Sequence, residues 1–176
     1  MTKVAIITGG ASGIGFATAQ RLACAGYRVG LVDVNDSLSM DRVAELTDAG
    51  YEAFQVRLDV TDRDACMATL ARVGEQHGAI SLVVNCAGVA GRSQIGDAAS
   101  GRGWDRNIDI NLTGSFNMVH GCVGQLKASG KGVVINVSSV VGERSGFAEV
   151  GYAASKAGVI GLTRQLCREL APFGVR

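Results

Sequence analysis

Near its start the chain reads VAIITGGASGIG over residues 4–15, an apolar run followed by a glycine-rich turn. This pattern predicts a strand that enters a helix through glycines, with backbone N–H groups and the positive end of the helix dipole left open. Because glycine has no Cβ, a phosphate group can come close to such a turn. The stretch predicts a nucleotide-binding loop, and an ordinary tight turn is the alternative. It lacks the Gly-Lys-Ser/Thr ending of nucleoside triphosphatases.

Strands and helices are predicted to alternate along the rest of the chain. Apolar runs predict strands at 4–8, 28–33, 52–58, 80–85 and 133–137, and helical periodicity predicts helices at 13–25, 37–49, 62–77, 104–128 and 151–173. Successive βα units need right-handed crossovers, so they predict a parallel sheet with helices on both faces. We therefore expect an α/β fold, a doubly wound three-layer αβα domain over residues 1–176. Such sheets bind ligands at the carboxyl ends of their strands.

Composition limits the kinds of partner. The formal net charge is +1 with both signs interspersed, so no basic run suits nucleic acid or an anionic membrane. No export signal follows Met1, and no apolar run has the length of a membrane span. Five scattered cysteines without a C-x-x-C pair favour reduced, mostly buried thiols over disulfides or zinc. We expect a cytoplasmic protein that acts on a small molecule and holds no metal.

Three strand ends carry candidate groups for a dinucleotide. Asp33 can accept hydrogen bonds from ribose hydroxyls and would repel a 2′-phosphate, so NAD is favoured over NADP, although it can also be a turn former. Asp59 can accept from the adenine amino group, or it can shape the entry of the next helix, where Thr61 and Asp64 resemble a capping pair. Small residues at 86–88 suit a backbone that passes beneath a cofactor, although Gly88 can also be an ordinary loop residue.

Candidate catalytic groups lie in the second half of the chain. Tyr152 and Lys156 are four residues apart, on one helical face, where an ammonium group favours ionisation of the phenol. Ser139 can hydrogen-bond a substrate oxygen, with Ser138 as the alternative. Asn111 could bind a water and hold Lys156 in a proton relay, although an asparagine within a helix is more often exposed or structural.

In this order, the motifs resemble the short-chain dehydrogenase/reductase family over residues 3–176. The resemblance implies a Rossmann fold in which Ser139 positions the substrate oxygen, Tyr152 transfers the proton and Lys156 binds the nicotinamide ribose. It also implies that Asn111 anchors a proton relay. Cys86 stands where the family has a second asparagine. The catalytic residues implied are Asn111, Ser139, Tyr152 and Lys156. The cofactor-binding residues are Gly9, Ser12, Gly13, Ile14, Gly15, Asp33, Asp59, Val60, Asn85, Ala87, Gly88, Tyr152 and Lys156.

The resemblance also implies an activity and a gap. We expect an oxidoreductase that transfers a hydride between NAD(H) and a secondary alcohol or ketone, and a homo-oligomer formed through helices 104–128 and 151–173. Family members continue past Arg176 into further strands and a substrate lid, so we expect a C-terminally truncated domain whose fifth strand is an exposed edge. The alternative is a non-catalytic NAD-binding module or an inactive fragment.

Overall fold

The computed structural model describes residues 3–144 and 146–176. Its five strands form one parallel sheet in the order β3-β2-β1-β4-β5. The strands are β1 Lys3–Thr8, β2 Tyr27–Asp33, β3 Ala53–Arg57, β4 Ile80–Asn85 and β5 Val133–Asn136. The chain starts in the middle of the sheet, winds outward to β3 and then returns to build β4 and β5 on the other side. The winding therefore reverses between β1 and β4, where such a sheet opens a ligand crevice.

Six helices connect or flank these strands: α1 Gly13–Cys24, α2 Asp36–Asp48, α3 Arg63–His77, α4 Ser100–Asn107, α5 Gly114–Ala128 and α6 Val150–Leu170. The helix predicted at 104–128 begins earlier, at Ser100, and is interrupted by a π-helical turn at Ile108–Thr113. The helix predicted at 151–173 ends at Leu170 and continues as a 3₁₀ turn containing Pro172, which has no N–H for the α-helical ladder. Asp62 caps α3 by accepting from the Ala65 N–H at 2.9 Å, so Thr61 and Asp64 are not the capping pair.

Alternating side chains of β1 feed two separate cores. Val4 and Ile6 pack on one face of the sheet against α3 and α5, whereas Ala5 and Ile7 pack on the other face against α1. The first core also holds Leu70 of α3 and Met118 of α5, both fully buried. Burying an aliphatic side chain of this size stabilises a fold by about 1.5–3 kcal/mol. The α/β doubly wound fold with helices on both faces is thus confirmed.

The outer edge of β5 is partly covered, which corrects the expectation of a fully exposed edge. The Val134 N–H donates to the carbonyl of Arg176 at 2.8 Å, and the Arg176 N–H donates to the carbonyl of Gly132 at 2.9 Å. These bonds continue the parallel pattern beyond β5. Ile135, further along the same strand, remains exposed.

The cysteines are free but less buried than expected. Cys66 and Cys122 are buried and Cys86 is half-buried, whereas Cys24 and Cys167 are exposed. Burial raises the pKa of Cys66 to about 11 and that of Cys122 to about 12. No helix in the described part of the chain is long and apolar enough to cross a membrane.

Candidate active site

A cleft of about 490 Å³ opens where the winding of the sheet reverses. Its walls come from the loops that follow β1, β2, β3 and β4, which is why groups distant in sequence meet there. Of the residues predicted to bind the cofactor, the cleft is lined by Gly9, Ser12, Gly13, Ile14, Gly15, Asp33, Asp59, Val60, Ala87 and Gly88. Val32, Val34, Leu58, Cys86, Val89, Arg106 and Ile110 complete the lining.

The turn after β1 needs glycine at two positions. Gly9 has φ of 62°, and a Cβ there would lie 3.1 Å from the Cα of Ala87. A Cβ on Gly15 would overlap the carbonyl oxygen of Gly9. Ser12 is the N-cap of α1, yet its side chain makes no capping hydrogen bond. The first N–H groups of α1 therefore remain available to an anion in the cleft, and this donor set suits a diphosphate.

Asp33 is fixed at the end of β2 by two backbone donors. Its Oδ2 accepts from the Ala11 N–H at 3.2 Å and its Oδ1 accepts from the Asn35 N–H at 3.0 Å. Both oxygens keep a free lone pair toward the cleft, because a carboxylate oxygen can accept two hydrogen bonds. The guanidinium of Arg42, from α2, pairs instead with Glu45 at 2.7 Å.

Asp59 shapes the entry to the next helix, and its predicted contact with adenine stays a prediction. Its Oδ1 accepts from the Thr61 N–H at 2.9 Å and from the Thr61 hydroxyl at 2.8 Å, which shapes the turn before α3. The side chain is also exposed along the cleft. The local hydrogen bonds occupy one oxygen and leave the other for a ligand.

Asn85 is not brought to the cleft. Its amide nitrogen donates to Asn136 Oδ1 at 2.8 Å and to the carbonyl of Ser115 at 3.3 Å, beneath the sheet end. Its own carbonyl accepts from the Val137 N–H at 3.1 Å. The end of β4 that leads into the cleft-lining residues is instead held by Thr8, whose Oγ1 accepts from the Cys86 N–H at 3.0 Å and the Ala87 N–H at 2.9 Å.

Lys156 is a buried cation beside the candidate proton-transfer group. Its side chain is only 6% exposed, and Nζ donates to the carbonyl of Val137 at 2.8 Å. Nζ lies 5.8 Å from the centre of the Tyr152 ring. Burial lowers the pKa of Lys156 from its usual 10.5, and the nearby Cys86 thiol opposes that shift. A negative charge close to Nζ would therefore be stabilised by this ammonium, which forms no ion pair with a carboxylate of residues 3–144 and 146–176.

The two serines after β5 have different environments. Ser138 Oγ donates to the carbonyl of Lys156 at 2.8 Å, which ties it to α6. Ser139 is half-exposed at the cap of a short 3₁₀ turn, where its Oγ accepts weakly from the Val141 N–H at 3.4 Å. Of the two hydroxyls, that of Ser139 is the freer to reach a substrate oxygen.

Asn111 is 1% exposed and bridges three parts of the fold from the π-helical turn. Its Oδ1 accepts from the Val89 N–H at 2.8 Å, and its Nδ2 donates to the Val89 carbonyl at 2.9 Å and to Ser155 Oγ at 3.0 Å. Within residues 3–144 and 146–176, no hydrogen bond joins this amide to Lys156. Both groups nevertheless lie close to Gly88, where a Cβ would be 3.2 Å from Asn111 Oδ1 and 3.6 Å from Lys156 Nζ.

Thr8 and Ser155 are site residues that sequence reasoning missed. Ser155 donates to the carbonyl of Tyr152 at 2.8 Å while it accepts from Asn111. It lies within the same Tyr-Ala-Ala-Ser-Lys stretch as the predicted catalytic pair, so its position in the sequence could have indicated that it belongs to the site. Thr8 ends the first strand, and nothing in its local sequence indicates that its hydroxyl reaches a neighbouring strand.

Comparison with known proteins assigns this arrangement to a family. The short chain dehydrogenase profile matches residues 3–176. The 3-oxoacyl-(acyl-carrier-protein) reductase FabG of Staphylococcus aureus is 37% identical over 176 residues, covering 99% of this chain and 71% of the reductase. The human 3-hydroxyacyl-CoA dehydrogenase type-2 is 34% identical, covering 98% of this chain and 69% of that protein. The chain belongs to the short chain dehydrogenase family.

Solved structures agree with the assignment of this short chain dehydrogenase. The crystal structure of gox2181 superposes with a TM-score of 0.94 at 33% identity, covering 99% of this chain and 69% of that one. The apo form of LigD from Sphingobium sp. strain SYK-6 gives 0.92 at 33% identity, covering 98% and 74%. The protein is thus an oxidoreductase of a family that uses nicotinamide cofactors and small-molecule substrates.

Proposed function

We propose that this short chain dehydrogenase transfers a hydride between NAD(H) and a secondary alcohol or ketone, with Tyr152 as proton donor and acceptor. The observation that carries the proposal is the buried ammonium of Lys156, 5.8 Å from the centre of the Tyr152 ring, at the end of the sheet where the cleft opens. Ser139 would hold the substrate oxygen, and Asn111 would fix the loop after β4 against α6, the helix that carries Lys156.

The cleft residues fit a dinucleotide. The open N–H groups at the start of α1 would hold the diphosphate, and the glycines at 9, 13 and 15 would let it approach the backbone. Asp33 would accept from the ribose hydroxyls, which favours NAD over NADP because a 2′-phosphate would meet its carboxylate. When bound, NAD(H) supplies the hydride chemistry.

Lys156 would assist Tyr152 through charge. An isolated ammonium inside a protein is unfavourable, as the lowered pKa of Lys156 indicates, so a phenolate nearby relieves that cost. The ammonium would thereby stabilise negative charge that develops on the Tyr152 oxygen while a proton is transferred. The Val137 carbonyl keeps Nζ at this position by accepting its hydrogen bond.

One observation favours a second candidate, a non-catalytic NAD-binding module. The surface next to Ser139 is open, because Val140 and Phe147 are exposed. Water at this surface would weaken the electrostatic help that Tyr152 receives from Lys156. Cofactor binding without turnover is the behaviour expected of such a module.

Replacement of Tyr152 by Phe tests the proposal, because it removes one oxygen and keeps the ring. We expect the variant to retain NADH binding in a fluorescence titration, because the cleft that would hold the dinucleotide is lined by other residues. Turnover of a panel of secondary alcohols with NAD should fall by about 10²–10⁴-fold, the usual contribution of general acid–base catalysis. The matched control is Tyr51→Phe, a partly exposed tyrosine at the start of another loop.

The same measurements separate the alternatives. Wild-type protein that binds NADH yet turns over no alcohol in the panel would support the module. Wild-type protein that is folded and binds no NADH would refute both candidates.

A further inference from the structure

Glu149 is a buried acid outside the cofactor cleft. It directly precedes α6, three residues before Tyr152, and only 6% of it is exposed. Ser93 Oγ donates to its Oε1, and Asn107 Nδ2 donates to its Oε2 at 2.7 Å. Neither of the two ion pairs among the described residues includes it. A carboxylate is rarely buried this far without a role that requires it.

Two glycines make room for this carboxylate. A Cβ on Gly91, in the loop after β4, would overlap Oε2, and a Cβ on Gly103 of α4 would overlap Oε1. The start of α6 also approaches α4 closely, since a Cβ on Gly151 would lie 2.7 Å from the Cα of Trp104. The Glu149 carboxylate is thus enclosed where the loop, α4 and α6 meet.

The carboxylate is linked by hydrogen bonds to the candidate catalytic groups. Asn107 donates to Glu149, and its Oδ1 lies 3.3 Å from Asn111 Nδ2, as the most distant of three acceptors that share the two N–H groups of that amide. Asn111 in turn donates to Ser155 Oγ at 3.0 Å, and Ser155 donates to the carbonyl of Tyr152 at 2.8 Å. The chain of bonds begins at Glu149, the residue before α6, and ends at Tyr152 in the first turn of α6.

We propose that Glu149 is a positioning residue: through Asn107 it fixes the Asn111 amide and the first turn of α6, and so holds Tyr152 at its working position. The inference rests on the proposed function, because it assigns Glu149 a part in that same site. Glu149 lies outside the cofactor cleft, so its loss acts on turnover and leaves dinucleotide binding unchanged. A displacement of about 1 Å in a catalytic group can reduce a rate by up to a hundredfold.

Two substitutions at this position give opposite expectations. Glu149→Met has a similar length but no acceptor, so kcat should fall by about tenfold to a hundredfold while the Kd for NADH stays within about twofold. Glu149→Gln can still accept from Asn107 and donate to the Ser93 hydroxyl, so its kcat should stay within about threefold of wild type. Both should fold, which circular dichroism will check.

An independent variant displaces the carboxylate without altering it. Gly103→Ala places a methyl group against Oε1, whereas Gly101→Ala, on the same helix, meets no atom within 4 Å. We expect Gly103→Ala to lose kcat as Glu149→Met does and Gly101→Ala to behave as wild type. If Glu149→Met fails to fold, the kcat of Gly103→Ala tests the inference in its place.

Several results would overturn the inference. The first is a wild-type kcat in both Glu149→Met and Gly103→Ala, and the second is an equal loss of kcat in Glu149→Gln and Glu149→Met. The third is a loss of NADH affinity as large as the loss of kcat. If the wild type itself turns over no alcohol, the proposed function has failed, and hydrogen exchange then tests the role of Glu149 separately. The Val89 amide, bonded to Asn111 Oδ1, should then exchange faster in Glu149→Met than in Glu149→Gln, and equal rates would refute the role of Glu149.

Discussion

Asp33, in the cleft lining, and Lys156, on α6, carry opposite charges, and each is held by backbone groups. Two N–H groups bind the carboxylate of Asp33, and one carbonyl binds the ammonium of Lys156. Backbone partners do not neutralise either charge, so both remain able to act on a ligand. An acid held by Arg or Lys would have its field largely cancelled.

Asp33→Asn is expected to change cofactor preference with little change in shape. The amide keeps one acceptor oxygen but no longer repels a 2′-phosphate. The ratio of the Kd values for NADPH and NADH should fall by about tenfold or more, since hydrogen bonds to charged groups contribute about 1.5–3 kcal/mol. Fluorescence titrations with both reduced cofactors give this ratio. Asp41→Asn, at an exposed position of α2, should leave it unchanged, and an unchanged ratio in Asp33→Asn would remove the argument for NAD.

The position of the cleft depends on how strands β1 and β4 are joined, and Thr8 makes that connection. Its buried hydroxyl takes two N–H groups from the end of β4, so the loop that forms the floor of the cleft is anchored to β1. Valine has nearly the shape of threonine but accepts no hydrogen bond. The two N–H groups would then remain buried without partners.

Thr8→Val should therefore destabilise the protein by about 1–3 kcal/mol, the usual cost of leaving a buried donor unsatisfied. NADH affinity should fall as well, because Ala87 lines the cleft. Urea denaturation gives the free energy of unfolding. Thr47→Val, whose hydroxyl is exposed on α2 and bonds only its own helix, should stay within about 0.5 kcal/mol of wild type. Equal free energies of unfolding for the two variants would show that the hydrogen bonds to Thr8 do not stabilise the protein.

Sequence patterns predicted the elements better than the contacts between them. β4 was predicted with its observed ends, 80–85, because its six residues are bounded by a glycine-containing loop on one side and by small residues on the other. The π-helical turn was not predicted, since helical periodicity continues on both sides of it. The burial of Glu149 and the orientation of Asn85 depend on residues far away in sequence, which no local pattern contains.

The stability of the whole protein should depend on pH through a histidine that lies outside the cleft. His77, at the end of α3, stacks on Phe54 with ring centres 3.7 Å apart, and Arg28 donates to its carbonyl. Burial first, and the charge of Arg28 second, lower the pKa of His77 below its usual 6.5. Between that lowered pKa and 6.5 the unfolded chain binds more protons than the folded one, so stability rises with pH across this window.

His77→Gln should remove this part of the pH dependence. Melting temperatures measured from pH 5 to pH 7.5 should rise more steeply for the wild type than for the variant, and both should level off near the upper end. The chain has two histidines, so His120→Gln is the matched control and should keep the wild-type slope. Parallel curves for wild type and His77→Gln would contradict the assignment.

The π-helical turn at Ile108–Thr113 affects how the continuous helical stretch from α4 to α5 packs against its two neighbouring helices. An extra residue in a turn rotates everything after it by about 100° relative to an unbroken α-helix. α4 can therefore present its inner side to α6 while α5 presents a different side to α3. In an uninterrupted helix the side of α4 that faces α6 and the side of α5 that faces α3 would be rotated relative to each other by about 100° from the observed arrangement, so only one of the two contacts could form as observed. The π-helical turn thus lets one continuous stretch of chain pack both against α3 and against α6, the helix that carries Tyr152 and Lys156.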